Sequence, residues 1–324
     1  MGKVRVALCA AGVVLVLAGC SSRVGGTPVA SDARQEPLNT DVFDDLSTID
    51  PCSMTGPAAF EKYGTAATPG RPSLDECAVR VATEEGRVTV RLGEWRTEEV
   101  LPAERDEFAA PDDGTSIVRL GRGCDMALVF SDGLALMTSA EAAGDSEVVP
   151  SDTVLCGLAQ GAAQGVYDVA AGGRVKHWDD LPANSFGGVD ACGLLDTDEA
   201  AATIGDTSGT AYFYPAKHQC RWGRAGGDSP TAKLDFPVAE SAQDAGVPAS
   251  ATEEPIGGRP SWVVDTTAGN LTVCTVFTEH IEFEPGTGTT EYAALRVAIP
   301  TGGVDACAAA RTLAGKAWPE LPSP

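Results

Sequence analysis

The chain has 324 residues, 43% of them apolar, and its 46 acidic residues against 23 basic ones give a net charge of −23. This length predicts two domains, and the apolar content is sufficient for buried cores, which excludes bulk disorder. A surface this acidic repels phosphate backbones, so the composition excludes a nucleic-acid-binding protein.

The N-terminus has the pattern of an export signal. Lys3 and Arg5 precede an apolar run over residues 7–18, which has the length of a secretory signal and is short for a membrane-spanning helix. The run ends in Leu-Ala-Gly-Cys, which resembles the bacterial lipobox. We therefore expect a lipoprotein signal peptide over 1–19 and a protein anchored to the outer face of the cell membrane by acyl chains, palmitate among them, on Cys20. The alternative is an ordinary secretory signal with an incidental cysteine.

Residues 20–47 connect this anchor to the rest of the chain. They are polar and rich in Gly, Pro and Ser. Such a composition predicts a flexible tether that carries the folded part clear of the membrane surface.

Eight further cysteines fall into two groups of four. Successive members are 25, 47 and 32 residues apart in the first group and 28, 54 and 33 apart in the second. The parallel spacing and the even count predict two copies of one disulfide-bonded module, 48–171 and 188–324, joined by a linker over 172–187. The cysteines are Cys52, Cys77, Cys124, Cys156, Cys192, Cys220, Cys274 and Cys307.

Helical patterns open and close each module. The opening helices are predicted from start and stop residues, namely Thr55, Pro57 and Gly64 in the first module and Asp196, Glu199 and Gly205 in the second. Alanine-rich stretches that begin at Cys156 and Cys307 predict the closing helices.

Alternating apolar and polar residues between these helices predict strands. In the first module one pair surrounds a Glu-Glu-Gly turn after Cys77, and an Asp-Gly hairpin follows Cys124. The second module has counterparts around Cys220 and Cys274. The predicted fold is α+β, with two tandem repeats, each an antiparallel sheet of about four to five strands flanked by an N-terminal and a C-terminal helix.

Four cysteines in a module allow three pairings. We favour first with second and third with fourth, because each such bond ties a helix start to a neighbouring strand. Loops of this size contribute about 3–4 kcal/mol each by restricting the unfolded chain.

Several motifs together resemble a known family. They are the lipobox, Asp50-Pro51-Cys52, Asp190-Ala191-Cys192-Gly193-Leu194-Leu195, Cys220-Arg221-Trp222, and Asp305-Ala306-Cys307 with Leu321-Pro322. The chain resembles actinobacterial lipoproteins of the domain-of-unknown-function 3558 family, arranged in tandem. The first module departs from the pattern, since Cys77-Ala78-Val79 lacks the tryptophan. The resemblance implies an exported, membrane-anchored protein and no particular chemistry.

Nucleophilic and metal-dependent catalysis have little support. No Gly-x-Ser-x-Gly or Cys-x-x-Cys motif occurs, and Gly227-Asp228-Ser229-Pro230 is typical of a turn. The scattered His177, His218 and His280 are interpreted as surface or linker residues. We therefore expect neither a metal site nor any other cofactor.

Carboxylates are abundant but lack the spacing of a calcium loop. The acidic runs are Asp41, Asp44, Asp45 and Asp50; Asp112 and Asp113; and Asp196, Asp198 and Glu199. The last run is explained by a helix N-terminus, and the others are interpreted as solvated tether and turn.

The run Tyr212-Phe213-Tyr214 is the best candidate for a binding surface. Three adjacent aromatic residues in an extended segment cannot all face one core, so at least one is expected near the surface, where it would stack on a sugar or contact a partner. The alternative is that the run packs over the open end of the sheet. Trp222 and Trp262 are expected in the core.

These observations predict a non-enzymatic envelope lipoprotein that binds, senses or assembles with an envelope protein or glycan. One alternative is a cell-envelope hydrolase that uses carboxylates from distant segments. Another is a structural spacer of the envelope without a specific ligand.

Overall fold

The computed structural model describes residues 37–324 except 110–112, 147, 180, 225, 227, 228 and 285. This part of the chain is mixed α+β, with two antiparallel sheets of eight strands each and four disulfides. The predicted signal peptide, Cys20 and the first part of the predicted tether lie outside the described residues.

The first sheet is built from residues 64–142. Its strands are β1 Gly64–Ala66, β2 Gly70–Ser73, β3 Glu76–Thr83, β4 Gly86–Thr97, β5 Arg105–Ala109, β6 Ser116–Leu120, β7 Met126–Val129 and β8 Leu134–Ala142. They are ordered β1-β3-β4-β8-β7-β6-β5, and β2 pairs with β3. Helix α1, Asp152–Ala171, packs its Leu158, Ala162 and Val166 on one face of this sheet. The opposite face is called the outer face.

The second sheet follows the same plan. Its strands are β9 Ala211–Phe213, β10 Cys220–Trp222, β11 Thr231–Asp235, β12 Val238–Ala239, β13 Thr252–Ile256, β14 Arg259–Ala268, β15 Leu271–Glu282 and β16 Thr290–Pro300. They are ordered β13-β14-β15-β16-β11-β10-β9, and β12 pairs with β16. Helices α2, Thr197–Ile204, and α3, Ala306–Ala317, cover the core face, where Trp222 and Trp318 are fully buried.

Several predicted elements are confirmed. The Asp196 carboxylate accepts a hydrogen bond from the Glu199 N–H at 2.9 Å and caps α2, which ends at Gly205 with φ 74°. Both predicted hairpins are present as β3–β4 and β7–β8, and the alanine-rich stretches form α1 and α3.

The predicted opening helix of the first repeat is wrong. The chain there forms short 3-10 turns over Pro51–Met54 and Pro57–Ala59 and then enters β1. Gly64 is not a helix stop, because a Cβ atom at this position would lie 2.0 Å from the Ala82 carbonyl oxygen. The glycine allows β1 to approach β3 closely.

The predicted number of strands is also wrong, since each sheet has eight strands rather than four or five. The additional strands are short or rich in charge and proline, such as β2, β5 and β13. Their extended conformation comes from hydrogen bonds to longer neighbouring strands, and it leaves little trace in the local pattern.

The four disulfides join Cys52 to Cys77, Cys124 to Cys156, Cys192 to Cys220, and Cys274 to Cys307. These are the pairs that the sequence favours. Cys77, Cys220 and Cys274 are fully buried within strands, and Cys156 and Cys307 lie near the starts of α1 and α3.

The folded part begins before residue 48. Phe43, within the predicted tether, is fully buried, and its ring lies 4.9 Å from the Trp95 ring and 5.3 Å from that of Phe130. The predicted linker also makes ordered contacts. The backbone N–H of Trp178 donates to the Thr48 carbonyl at 2.7 Å, and Phe186 is buried in the core of the second sheet.

A turn from the first sheet joins the two cores. Leu74, between β2 and β3, is 1% exposed and packs in the core of the second sheet. In return Ala216, between β9 and β10, packs in the core of the first sheet. The described residues accordingly belong to one compact unit.

A row of glycines allows close packing on α1. We call Gly157, Gly161 and Gly165 the glycine row; they are spaced four residues apart and share one helix face. A Cβ atom at Gly161 would lie 2.7 Å from the Ala59 carbonyl oxygen. The glycines therefore let the 3-10 turn Pro57–Ala59 lie directly against α1, although glycine lowers the helix propensity of this segment.

We predict that Gly161→Ala destabilises the protein by about 1–3 kcal/mol, because the added methyl group meets backbone rather than a movable side chain. In an exposed helix the same change would be stabilising by about 1 kcal/mol. Urea unfolding followed by circular dichroism measures the difference, with the exposed Gln164→Ala on the same helix as the control. A Gly161→Ala protein as stable as the parent would contradict this packing.

Candidate functional site

Tyr212 and Phe213 of the aromatic run lie in β9, at the free edge of the second sheet, and Tyr214 directly follows this strand. Tyr214 is 5% exposed and Tyr212 is half-buried, and their rings meet edge to face at 4.7 Å. The Thr97 N–H donates to the Tyr212 hydroxyl at 2.9 Å, which joins β9 to the end of β4. Phe213 is 63% exposed. The run thus divides between a packed pair and one surface aromatic ring.

The outer face of the second sheet carries a row of cations. Arg221 of β10 lies directly opposite Lys233 of β11, and Lys233 lies directly opposite Arg296 of β16. We call these three residues the basic row. Like charges in directly opposite positions repel each other, so the arrangement opposes sheet stability. It is unexpected in a chain with a net charge of −23.

The basic row has few neutralising partners. The Arg221 guanidinium stacks on the Tyr212 ring at 5.1 Å, and the Lys233 ammonium lies 3.4 Å from Asp235. Among the described residues, neither Arg221 nor Arg296 has a carboxylate within salt-bridge distance, and Arg296 is exposed.

The outer face of the first sheet adjoins this row through an irregularity in β4. The register of β4 against β8 shifts between Gly93 and Trp95, and the intervening Glu94 has a φ of 54°, which is uncommon for a residue with a side chain. The Glu94 carboxylate accepts from Arg96 at 2.8 Å. Backbone strain of this kind is often found at functional sites.

Glu94 and Arg96 help to form a crevice. A cavity of about 300 Å³ on the outer face is lined by Glu76, Arg91, Glu94 and Arg96, with Met137 and Leu120 on the apolar side. Tyr214, Lys233 and Asp235 of the second sheet lie close enough to interact electrostatically with Glu94. All the residues that line the cavity belong to the first sheet and its connections; we use the word crevice for this cavity together with the neighbouring Lys233 and Asp235.

Burial shifts the protonation of two acids in the crevice. It raises the pKa of Asp235, an effect that Lys233 and Arg296 partly oppose. Burial likewise raises the pKa of Glu76, against the opposing effect of Arg91. Burial acts to lower the pKa of Lys233, but the charges of Asp235 and Glu94 outweigh it and raise the pKa, so Lys233 stays charged. The crevice therefore combines a charged lysine with two carboxylates, Asp235 and Glu76, that protonate more readily than usual.

A second polar cluster is buried at the junction of the sheets. His218 Nδ1 lies 2.6 Å from an Asp75 carboxylate oxygen, and the Gln219 amide donates to the other oxygen at 3.0 Å. His218 Nε2 lies 3.1 Å from the Gly187 carbonyl oxygen. The side chains of Asp75 and His218 are 4% and 3% exposed. We call Leu74, Asp75, His218 and Gln219 the clasp.

The prediction that the histidines lie at the surface or in the linker is wrong for two of them. His218 is 2% and His280 8% exposed. The His280 ring stacks on Phe186 with centroids 4.1 Å apart, and its Nε2 lies 2.6 Å from the Asn184 carbonyl oxygen. His177 is half-exposed, with its Nδ1 2.7 Å from the Thr48 hydroxyl. The buried rings are held by contacts with distant segments.

Most of the predicted acidic runs have local structural roles. Asp45 and Asp50 cap 3-10 turns, and Asp50 also pairs with Arg71 at 3.1 Å. Asp113 is not solvated as predicted, because it is 5% exposed and accepts from Thr115 and Tyr167. Asp112 lies outside the described residues, as do Gly227 and Asp228 of the predicted turn.

The described residues contain neither a grouping of metal ligands nor a membrane-spanning helix. Within 37–324, apart from the gaps stated above, no three or more His, Cys, Asp or Glu side chains are grouped so as to hold a metal ion. In the same residues no helix is both long and apolar enough to cross a membrane.

Comparison with known proteins found no matching family model, no matching curated protein and no matching solved structure. The resemblance to the domain-of-unknown-function 3558 family therefore rests on the motifs quoted above and stays a prediction.

We predict a pH-dependent stability from the clasp. Burial lowers the pKa of His218, but the charge and hydrogen bond of Asp75 outweigh it and raise the pKa above the ordinary 6.5. Because the folded-state pKa exceeds the unfolded one, this stabilisation is complete below pH 6.5 and is lost as the pH rises through the folded-state value.

Replacing the histidine should remove this dependence. At pH 6, His218→Gln is expected to lower the free energy of unfolding by about 3–5 kcal/mol, because a buried carboxylate loses its cation. The difference from the parent should shrink as the pH rises. Urea unfolding across this range measures it, with His177→Gln as the control. A difference that does not change with pH would contradict a charged pair.

Proposed function

We propose that this chain is a lipid-anchored, extracytoplasmic binding protein without catalytic activity, held to the cell membrane through Cys20. It presents two disulfide-bonded repeats to an envelope protein or glycan. The lipobox pattern, the polar segment after it and the disulfides, which are typical of exported proteins, support this proposal.

The exposure of Phe213 is the observation that carries the binding role. This ring lies on an edge strand and is 63% exposed. Phe108, on edge strand β5 of the first sheet, is 44% exposed, but the Arg119 guanidinium covers its ring at 5.4 Å. No ring stacking or cation–π contact involves Phe213 among the described residues. An uncovered aromatic ring at a sheet edge is suited to stacking on a sugar or anchoring a partner.

A hydrolase is the second candidate, favoured by the raised pKa values of Glu76 and Asp235 in one crevice. Binding is preferred because three acids at the crevice have cationic partners. Glu76 lies 3.8 Å from Arg91, Glu94 2.8 Å from Arg96, and Asp235 3.4 Å from Lys233. Turnover of an envelope polysaccharide by the purified protein, abolished by Asp235→Asn, would favour the hydrolase.

We predict that Cys20→Ser releases the protein from the membrane, because the acyl chains that hold it have no thiol to join. Labelling cells with radioactive palmitate measures acylation, and fractionating the cells measures membrane attachment. The parent should carry label in the membrane fraction, and Cys9→Ser, within the predicted signal peptide, should behave like the parent. Membrane retention of a labelled Cys20→Ser protein would contradict the anchor.

We predict that Phe213→Ala abolishes crosslinking of the anchored protein to its envelope partner in intact cells. The matched control is Phe108→Ala, which removes an exposed phenylalanine from an edge strand of the other sheet. Mass spectrometry of the crosslinked species should show one protein or glycan lost in the first variant and kept in the second. Equal recovery in both variants would exclude Phe213 from the binding surface.

A further inference from the structure

The basic row is a charged surface that the structural role of the sheet does not require. Three adjacent strands each place a cation at the same level of the outer face, through the pairs Arg221 with Lys233 and Lys233 with Arg296. The row continues to Tyr212 on one side and Thr275 on the other. A sheet built only for stability would alternate charges at these positions, because opposite charges attract across strands.

The spacing of the row sets the shape of a ligand. Neighbouring strands lie roughly 4.8 Å apart, so the Cα atoms of Arg221 and Arg296 are separated by roughly 10 Å, with Lys233 midway. Guanidinium groups bind phosphate and carboxylate oxygens in pairs, whereas an ammonium acts as a point charge. The half-buried Tyr212 ring stacks under Arg221 and limits its movement.

The surrounding charges select against most anions. With a net charge of −23 the protein as a whole repels anions, so only a ligand that contacts several cations at once would be held. Lys233 is about one-third exposed, lies 3.4 Å from Asp235 and is also within the influence of Glu94. A narrow chain reaches this position more readily than a flat bilayer does.

We propose that the basic row binds a soluble, linear oligoanion, whose successive phosphate or carboxylate groups contact Arg221, Lys233 and Arg296. This inference rests on the proposed binding role and deepens it by giving a class of ligand. It does not involve Phe213, whose cross-strand partner Cys220 is buried in the core and which therefore lies on the opposite face of the sheet.

The test is calorimetric titration of the full-length protein with tripolyphosphate, with trigalacturonate and with vesicles of equal parts phosphatidylcholine and phosphatidylglycerol. We expect saturable binding of at least one soluble probe, weakening as salt is raised. Arg296→Gln should reduce this affinity roughly tenfold, since a charge-assisted hydrogen bond is lost. Arg221→Gln is a second variant with the same expected loss.

The matched control is Arg80→Gln, which removes an exposed arginine from the outer face of the first sheet. It should leave the affinity unchanged. Binding of neither soluble probe, binding to vesicles only, or equal losses in Arg296→Gln and Arg80→Gln would each overturn the inference. The Phe213 crosslinking result is independent of these outcomes, so failure of the anion site and failure of the binding role are distinguishable.

Discussion

The buried carboxylate of Asp75 is the constraint on which the arrangement of the two sheets depends. It projects from a turn of the first sheet, and a charge removed from water is tolerated only when it is paired and hydrogen-bonded. Its partners, His218 and Gln219, both come from the connection between β9 and β10 of the second sheet. Leu74, next to it, fills the second core. The turn therefore has its full set of contacts only when both sheets are in place.

The clasp also positions the candidate site. Glu94 follows Gly93, where a Cβ atom would lie 2.0 Å from the Asp75 carbonyl oxygen, and the Glu94 N–H donates to that same oxygen at 3.2 Å. The bulge that sets Glu94 beside Lys233 is thus bonded to the backbone of the clasp. The cavity itself is lined by residues of the first sheet and its connections, and Lys233 and Asp235 of the second sheet act electrostatically on Glu94 from beside it.

The sequence predicted features whose cause is local. The cap at Asp196 and the Asp-Gly hairpin each depend on a few neighbouring residues, whereas the disulfide pairs were found because the cysteine spacing repeats along the chain. The clasp was missed because Asp75 and His218 are 143 residues apart, and a lone histidine carries no sign of its partner. The basic row was missed for the same reason, since its three cations come from three strands whose register is set by tertiary pairing. The aromatic run was found because its members are adjacent.

The turn that both cores share implies that the two sheets form one cooperative unit. Scanning calorimetry of the protein tests it most directly, because the ratio of calorimetric to van't Hoff enthalpy reports how many units unfold together. We expect a single transition with a ratio near unity. Two resolved transitions, or a ratio near two, would show that the sheets unfold independently and would contradict it.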